Sequence, residues 1–300
     1  MAARPRILLQ LDTDDQPSSF DAVVAIDSGV DHLLSYPRVR PDNVEPLIHG
    51  GMFTRGPDSL HGTAVFIGGS QVDVGEEILD KVLATFFGPL RMSVMVDGNG
   101  SNTTAAAAVV AAGRHVQWPE TTALVLGGTG PVGSRIAQLL VHEGAQVLLG
   151  SRSLDRAQKS IERLVAKLGP DVRQRVRPAI ATEEQAWRQQ VDQAGAVFAC
   201  GAAGVQLLSS DLLQQATHLR VAVDLNAVPP AGLEGIEPID FGVQRGDRFD
   251  YGALGVGGLK MKIHRRALAS LFEANDRVLN TQSIYELGLQ LGAEATHSGS

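Results

Sequence analysis

The residues best placed to do chemistry form a glycine-rich hexad, Gly128-Thr129-Gly130-Pro131-Val132-Gly133, one residue after the apolar run 123–126. Strand, tight glycine turn and helix N-terminus in that order make a dinucleotide-binding turn. Backbone amides and the helix dipole face a pyrophosphate that a Cβ would obstruct. Gly128 is expected to allow the turn, Gly130 the close approach and Gly133 the helix packing. After the next apolar run, 146–149, the chain reads Gly150-Ser151-Arg152-Ser153, with no carboxylate before Asp155. An NAD site places an acidic side chain here for the ribose hydroxyls. A forked cation flanked by two hydroxyls suits a 2′-phosphate instead, so NADP is expected.

Two more segments fall at predicted strand ends, where open α/β sheets bind ligands. Cys200-Gly201-Ala202 offers small residues for a flat ring, with Cys200 as a small wall residue rather than a nucleophile. Asn226 to Pro229-Pro230 makes a rigid turn near the expected nicotinamide. The chain has five lysines, and Lys260 alone stands on an apolar helical stripe, with His264 and Leu268. The carboxylates Asp12, Asp14, Asp15 and Asp21 have no histidine at metal-ligand spacing, so they read as capping residues and no metal is expected.

These groups need a scaffold of alternating strands and helices. Apolar runs at 7–11, 32–35, 63–67 and 92–96 alternate with amphipathic segments at 20–28, 41–52, 72–87 and 103–112, the pattern of βα units around a mostly parallel sheet. Runs at 123–126, 146–149, 196–199 and 221–224 repeat it. The expected fold is α/β with two domains: an N-terminal βα domain at 1–116 and a doubly wound Rossmann domain at 117–255. Helices at 259–274 and 282–291, within 256–300, pack back on the first domain, and the glycine-rich 252–258 comes before the first of them. With 300 residues, 44% of them hydrophobic, there is material for two cores. A net charge of −7 without a basic run argues against nucleic acid, and no apolar stretch is long enough for a membrane span. One cysteine and no signal-like start point to the cytoplasm.

Taken together, the segments resemble the NADP-dependent methylenetetrahydromethanopterin/methylenetetrahydrofolate dehydrogenases of methylotrophs. The resemblance rests on Gln10-Leu11-Asp12-Thr13-Asp14, Phe53-Thr54-Arg55-Gly56, Asn99 to Ala105, the glycine hexad, Asn226 to Pro230, and Gly252 through Lys260 to His264-Arg265. It implies hydride transfer from the one-carbon bridge of a tetrahydropterin to NADP, leaving a methenyl cation. Asp21 and Lys260 are then the catalytic candidates. Asp14, Arg55, Asn102, Thr103, Thr104 and His264 become candidate pterin contacts, and the chain a homo-oligomer, a trimer or a multiple of one. No tyrosine is followed four residues later by lysine, so the cyclohydrolase activity of related bifunctional folate enzymes is not expected. A shikimate-dehydrogenase-like oxidoreductase and a non-catalytic NADP-binding sensor share the architecture and stand as alternatives.

Overall fold

In the computed structural model, which describes residues 4–181 and 184–297, the chain divides into two compact units. One takes the residues up to Thr103 together with those from Met261 on, and the other runs from Thr104 to Lys260. Both division points fall inside helices rather than in the polar loop at 114–121.

The chain begins as four strand–helix pairs: β1 (Ile7–Asp12), α1 (Ser19–Asp27), β2 (His32–Tyr36), α2 (Glu45–Met52), β3 (Thr63–Gly68), α3 (Val72–Thr85), β4 (Ser93–Val96) and α4 (Ser101–Ala112). β1, β3 and β4 are almost wholly buried, which is why they read as continuous apolar runs. On α3, Ile78 and Val82 are buried, while Val74 and Phe86 pack against the same core.

The second unit contains β5 (Thr122–Leu126), α5 (Pro131–His142), β6 (Gln146–Ser151), α6 (Leu154–Leu168), β7 (Val176–Ile180), α7 (Glu184–Asp192), β8 (Ala196–Ala199), α8 (Ser210–Gln215), β9 (Val221–Asp224), β10 (Phe241–Arg245) and β11 (Arg248–Tyr251). Then follow α9 (Ala253–Ser270), β12 (Val278–Leu279) and α10 (Thr281–His297). β12 joins the first sheet, whose order is β12-β4-β3-β1-β2 with every pair parallel. The C-terminal segment thus returns to the first unit.

The second sheet has the order β10-β11-β9-β8-β5-β6-β7, parallel except for the β10–β11 hairpin. Apart from that edge hairpin strand, this is the doubly wound dinucleotide-binding order, with its switch point between β5 and β8. In the first sheet the order reverses between β1 and β3. Loops leaving the strands at these two reversals can diverge and leave room for a ligand.

The structure differs from the sequence reading in several elements. The helix expected from 259 begins earlier, because α9 starts at Ala253 within the glycine-rich stretch. Two of the glycines here answer to crowding, since a Cβ on Gly252 would run into the Glu237 carbonyl and one on Gly255 into the Asp240 carbonyl. β7 escaped notice because Arg177 and Pro178 interrupt its apolar pattern, which an edge strand tolerates. The β10–β11 hairpin was signalled by Gly246-Asp247, where Gly246 takes φ +65°. Arg248 and Arg245 both bind the fully buried Asp250, and Arg248 also donates to the Leu213 carbonyl at 2.9 Å, tying the hairpin to α8. Among the described residues no helix is long and apolar enough to cross a membrane.

Candidate active site

In the second unit the loops leaving β5, β6 and β8 surround a cavity of about 620 Å³. The turn after β5 closes with a Gly130 N–H to Gly127 carbonyl hydrogen bond of 3.0 Å. The residue with positive φ is Gly127, at +69°, so the conformational role expected of Gly128 belongs to its neighbour. Gly128 is glycine for packing: a Cβ there would lie 2.6 Å from Leu149 and 2.9 Å from the Val125 carbonyl. A Cβ on Gly133 would lie 2.6 Å from the Gly127 carbonyl, so α5 can press against the turn only without one. Gly130 differs, because the nearest atom to a Cβ there is 3.4 Å away. It faces the cavity, and a group the size of a pyrophosphate fits against the turn and the α5 N-terminus.

Thr129, Gly130, Pro131, Ser151, Arg152, Ser153, Cys200 and Ala202 all line this cavity, whereas Gly128, Val132, Gly133, Asn226 and Pro229 do not. Ser151 is buried, and its hydroxyl donates to the Ser153 carbonyl at 3.0 Å while accepting the Ser153 N–H at 3.1 Å. It shapes the turn. Ser153 caps α6, accepting the Arg156 N–H, and keeps its own hydroxyl proton to donate. Burial and the nearby Asp224 carboxylate push the Cys200 thiol far up, so it stays protonated and serves as wall.

Asn226 acts behind the wall. Its side-chain oxygen accepts the Gly204 N–H at 3.3 Å and the Val228 N–H at 3.1 Å, and its amide donates to the Pro230 carbonyl at 3.0 Å. Buried Asp224 in turn accepts the Asn226 and Leu233 N–H groups at 2.9 and 3.0 Å. Burial raises the Asp224 pKa, and those hydrogen bonds oppose the shift. The sequence reading missed Arg156, Ala181 and Trp187 as cavity residues.

In the first unit, the reversal between β1 and β3 is tightly knit. The Asp14 carboxylate accepts the Ser70 N–H at 2.9 Å and the Ser70 hydroxyl at 2.7 Å, joining the loops after β1 and β3. Asp12 likewise holds Asp14 and Ser18 through their N–H groups. Asp21, in the first turn of α1, leans over Gly68: a Cβ there would stand 3.6 Å from its carboxylate and 3.7 Å from that of Asp12. Fully buried His264 stacks 5.9 Å from the Phe66 ring and lies tilted at 6.3 Å from Phe20, whose ring is half exposed beside Asp21. Asp21, Phe20, Phe66 and His264 therefore share one end of this sheet.

Other expected pterin contacts lie elsewhere. Arg55 donates to the Pro5 carbonyl at 3.0 Å, at the amino end of β1 and thus the opposite end of the sheet from Asp21. Asn102 and Thr103 are buried, with Asn102 bonded to the Val96 carbonyl and Thr281 and Thr103 to Asp97, while Thr104 beside them is half-buried. Lys260 is half-buried on the α9 face that also carries His264 and Leu268.

The sheet order and the cavity at its switch point define a Rossmann-type α/β protein. Residues 19–99 match the family described as methylene-tetrahydromethanopterin dehydrogenase, N-terminal. The chain is 41% identical over 291 residues to the bifunctional protein MdtA of Methylorubrum extorquens, covering 95% of this chain and 99% of that one. It is 32% identical over 284 residues to the NAD(P)-dependent methylenetetrahydromethanopterin dehydrogenase of the same organism, covering 91% and 94%. The chain belongs to the methylenetetrahydromethanopterin dehydrogenase family. Among solved structures, a shikimate dehydrogenase in complex with NADP+ is similar at TM-score 0.52 and 11% identity, covering 97% of each chain. A shikimate 5-dehydrogenase from Listeria monocytogenes reaches 0.52 at 12% identity, covering 94% of this chain and 96% of that one. These two likenesses concern the fold alone, so the shikimate-type alternative rests on shared architecture.

Proposed function

We propose that the protein is an NADP-dependent methylenetetrahydromethanopterin dehydrogenase that oxidises the methylene bridge of the tetrahydropterin to the methenyl form. The observation that carries this reading is the cavity beside the glycine turn, faced by Arg152 and with no carboxylate among its described lining residues. NADP, when bound, supplies the hydride acceptor.

The chain's own residues then have a limited task. The product cation is delocalised over two nitrogens and the carbon loses no proton, so positioning outweighs acid–base catalysis. The glycine turn and the α5 N-terminus hold the pyrophosphate, and the Cys200 and Ala202 segment walls the cavity without reactive groups. Asp21 supplies a fixed carboxylate that stabilises positive charge developing on the pterin. Lys260 is the second catalytic candidate that the family resemblance implies. Phe20 offers an exposed ring for a pterin to stack on.

The decisive experiment mixes the full chain, NADP and methylene-tetrahydromethanopterin and follows the NADPH absorbance band. Growth of the band supports the reading, and its absence at high protein concentration sinks it in favour of a sensor. Comparing kcat/KM with methylene-tetrahydrofolate ranks the carriers. Asp21→Asn and Lys260→Gln are each expected to lower kcat; unchanged turnover at saturation removes that residue from the catalytic pair. A cytoplasmic homo-oligomer, a trimer or a multiple of one, completes the proposal on the strength of the family resemblance, and light scattering on the purified chain checks the assembly.

A further inference from the structure

We propose that Gln10 and Asp12 are positioning residues for the pterin reaction: together they grip Ser18, the residue that caps α1, and so fix where the Asp21 carboxylate stands. The inference rests on the Asp21 reading above and names the residues through which that carboxylate is held.

β1 is a buried strand, yet it carries two polar side chains, Gln10 and Asp12, each 1% exposed. Two residues apart, they share one face of the strand, while Leu9 and Leu11 serve the apolar core on the other. Polar groups buried this deeply are kept only when bonded. Both turn to the same residue. The Gln10 amide donates to the Ser18 carbonyl at 3.1 Å, and the Asp12 carboxylate accepts the Ser18 N–H at 2.9 Å. The Gln10 oxygen is held from the other side, accepting the Ser35 hydroxyl at 2.7 Å from the neighbouring strand β2. Ser18 passes the restraint on, because its hydroxyl accepts the Asp21 N–H at 3.2 Å. Asp21 lies in the first turn of α1, so a displaced cap carries its carboxylate along. An ordinary cap needs only that hydroxyl. The two further bonds answer a problem of charge. The Asp21 and Asp12 carboxylates stand 3.6 and 3.7 Å from one point, the place a Cβ on Gly68 would take. Like charges so placed repel, and the grip on Ser18 holds α1 against that repulsion. A carboxylate stabilises a developing cation only when its place is fixed in advance.

The test is a double-mutant cycle on the full chain, read as kcat at saturating NADP and methylene-tetrahydromethanopterin. Gln10→Met keeps the length of the side chain and loses the donor to Ser18, while Asp12→Asn loses an acceptor. Gln10→Met is expected to lower kcat about threefold or more and Asp12→Asn about tenfold or more, with the KM for NADP within about twofold, as slight misplacement of a reacting group does. In an Asp21→Asn background each should cost less than about twofold further, because the residue they position has lost its charge. A merely structural role gives the same fold loss in both backgrounds. That additivity overturns the proposal, as does an unchanged kcat in either single variant. Should Asp12→Asn fail to fold, Gln10→Met completes the cycle with Asp21→Asn. If Asp21→Asn by itself leaves kcat unchanged, the Asp21 reading falls and the proposal with it, while the NADPH band of the unaltered protein still judges hydride transfer separately.

Discussion

Thr103 donates its hydroxyl to Asp97 at 2.6 Å, with both side chains fully buried at the start of α4. The other Asp97 oxygen accepts the N–H groups of Asn102 and Thr103 at 2.8 and 3.2 Å, so one carboxylate satisfies helix donors that burial hides from water. Thr103→Val keeps the shape and removes one donor from a buried carboxylate. A loss of about 1–3 kcal/mol is expected, seen as a lower urea midpoint with unchanged slope. An unshifted midpoint excludes this capping role.

Asn226 makes a second prediction because its bonds bridge two loops rather than point at a ligand. Through Gly204 it holds the segment after β8, whose neighbours Gly201, Ala202 and Val205 line the cavity. Asn226→Ala frees that segment. The KM for NADP is expected to rise several-fold while the KM for the pterin stays within about twofold, with a stability loss of about 1 kcal/mol. Equal increases in both KM values argue for general damage instead.

His115 gives the protein a pH-dependent stability term. Its Nε2 lies 2.7 Å from the Tyr251 hydroxyl and its ring stacks 3.9 Å from Phe249. Burial, with a smaller contribution from the Arg114 charge, lowers its pKa below the ordinary imidazole value. The unfolded chain therefore takes up a proton at this residue before the folded one does. The associated stability is complete above the unfolded value of about 6.5 and is lost as pH falls through the lower, folded value. His115→Gln, which retains a partner for Tyr251, should make unfolding free energy less steep between about pH 7 and about pH 5. Identical slopes in variant and wild type rule the term out.

Apolar runs and glycine punctuation made the two sheets legible, because strands covered on both faces must be apolar and the turn after β5 must be glycine. Arg152 was legible too, since it is where a strand end meets a known demand for charge. Arg156 was not, because its place on the rim depends on where α6 begins and hence on Ser153 acting as its cap. Asn102 and Thr103 show the opposite failure. Their side chains are of a type that binds ligands, but Asp97, six residues earlier, takes the Thr103 hydroxyl, while the Val96 carbonyl and Thr281 take the Asn102 amide, and no residue type announces which partner a side chain chooses. For Asp14 the partner is Ser70, distant in sequence and adjacent only once β1 and β3 have paired.

The return of residues from Met261 onward to the first unit gives translation an order that the numbering hides. β12 pairs with β4, the Ser93 hydroxyl donates to the Ala274 carbonyl at 2.8 Å, and the Thr281 hydroxyl donates to Asn102 at 2.8 Å. A nascent chain leaving the ribosome has every residue of the nucleotide-binding unit before it has the last strand of the unit that precedes it. Premature release anywhere between Lys260 and Thr281 leaves Asn102 sealed against a missing donor, so the codons beyond Lys260 decide whether the opening half can finish.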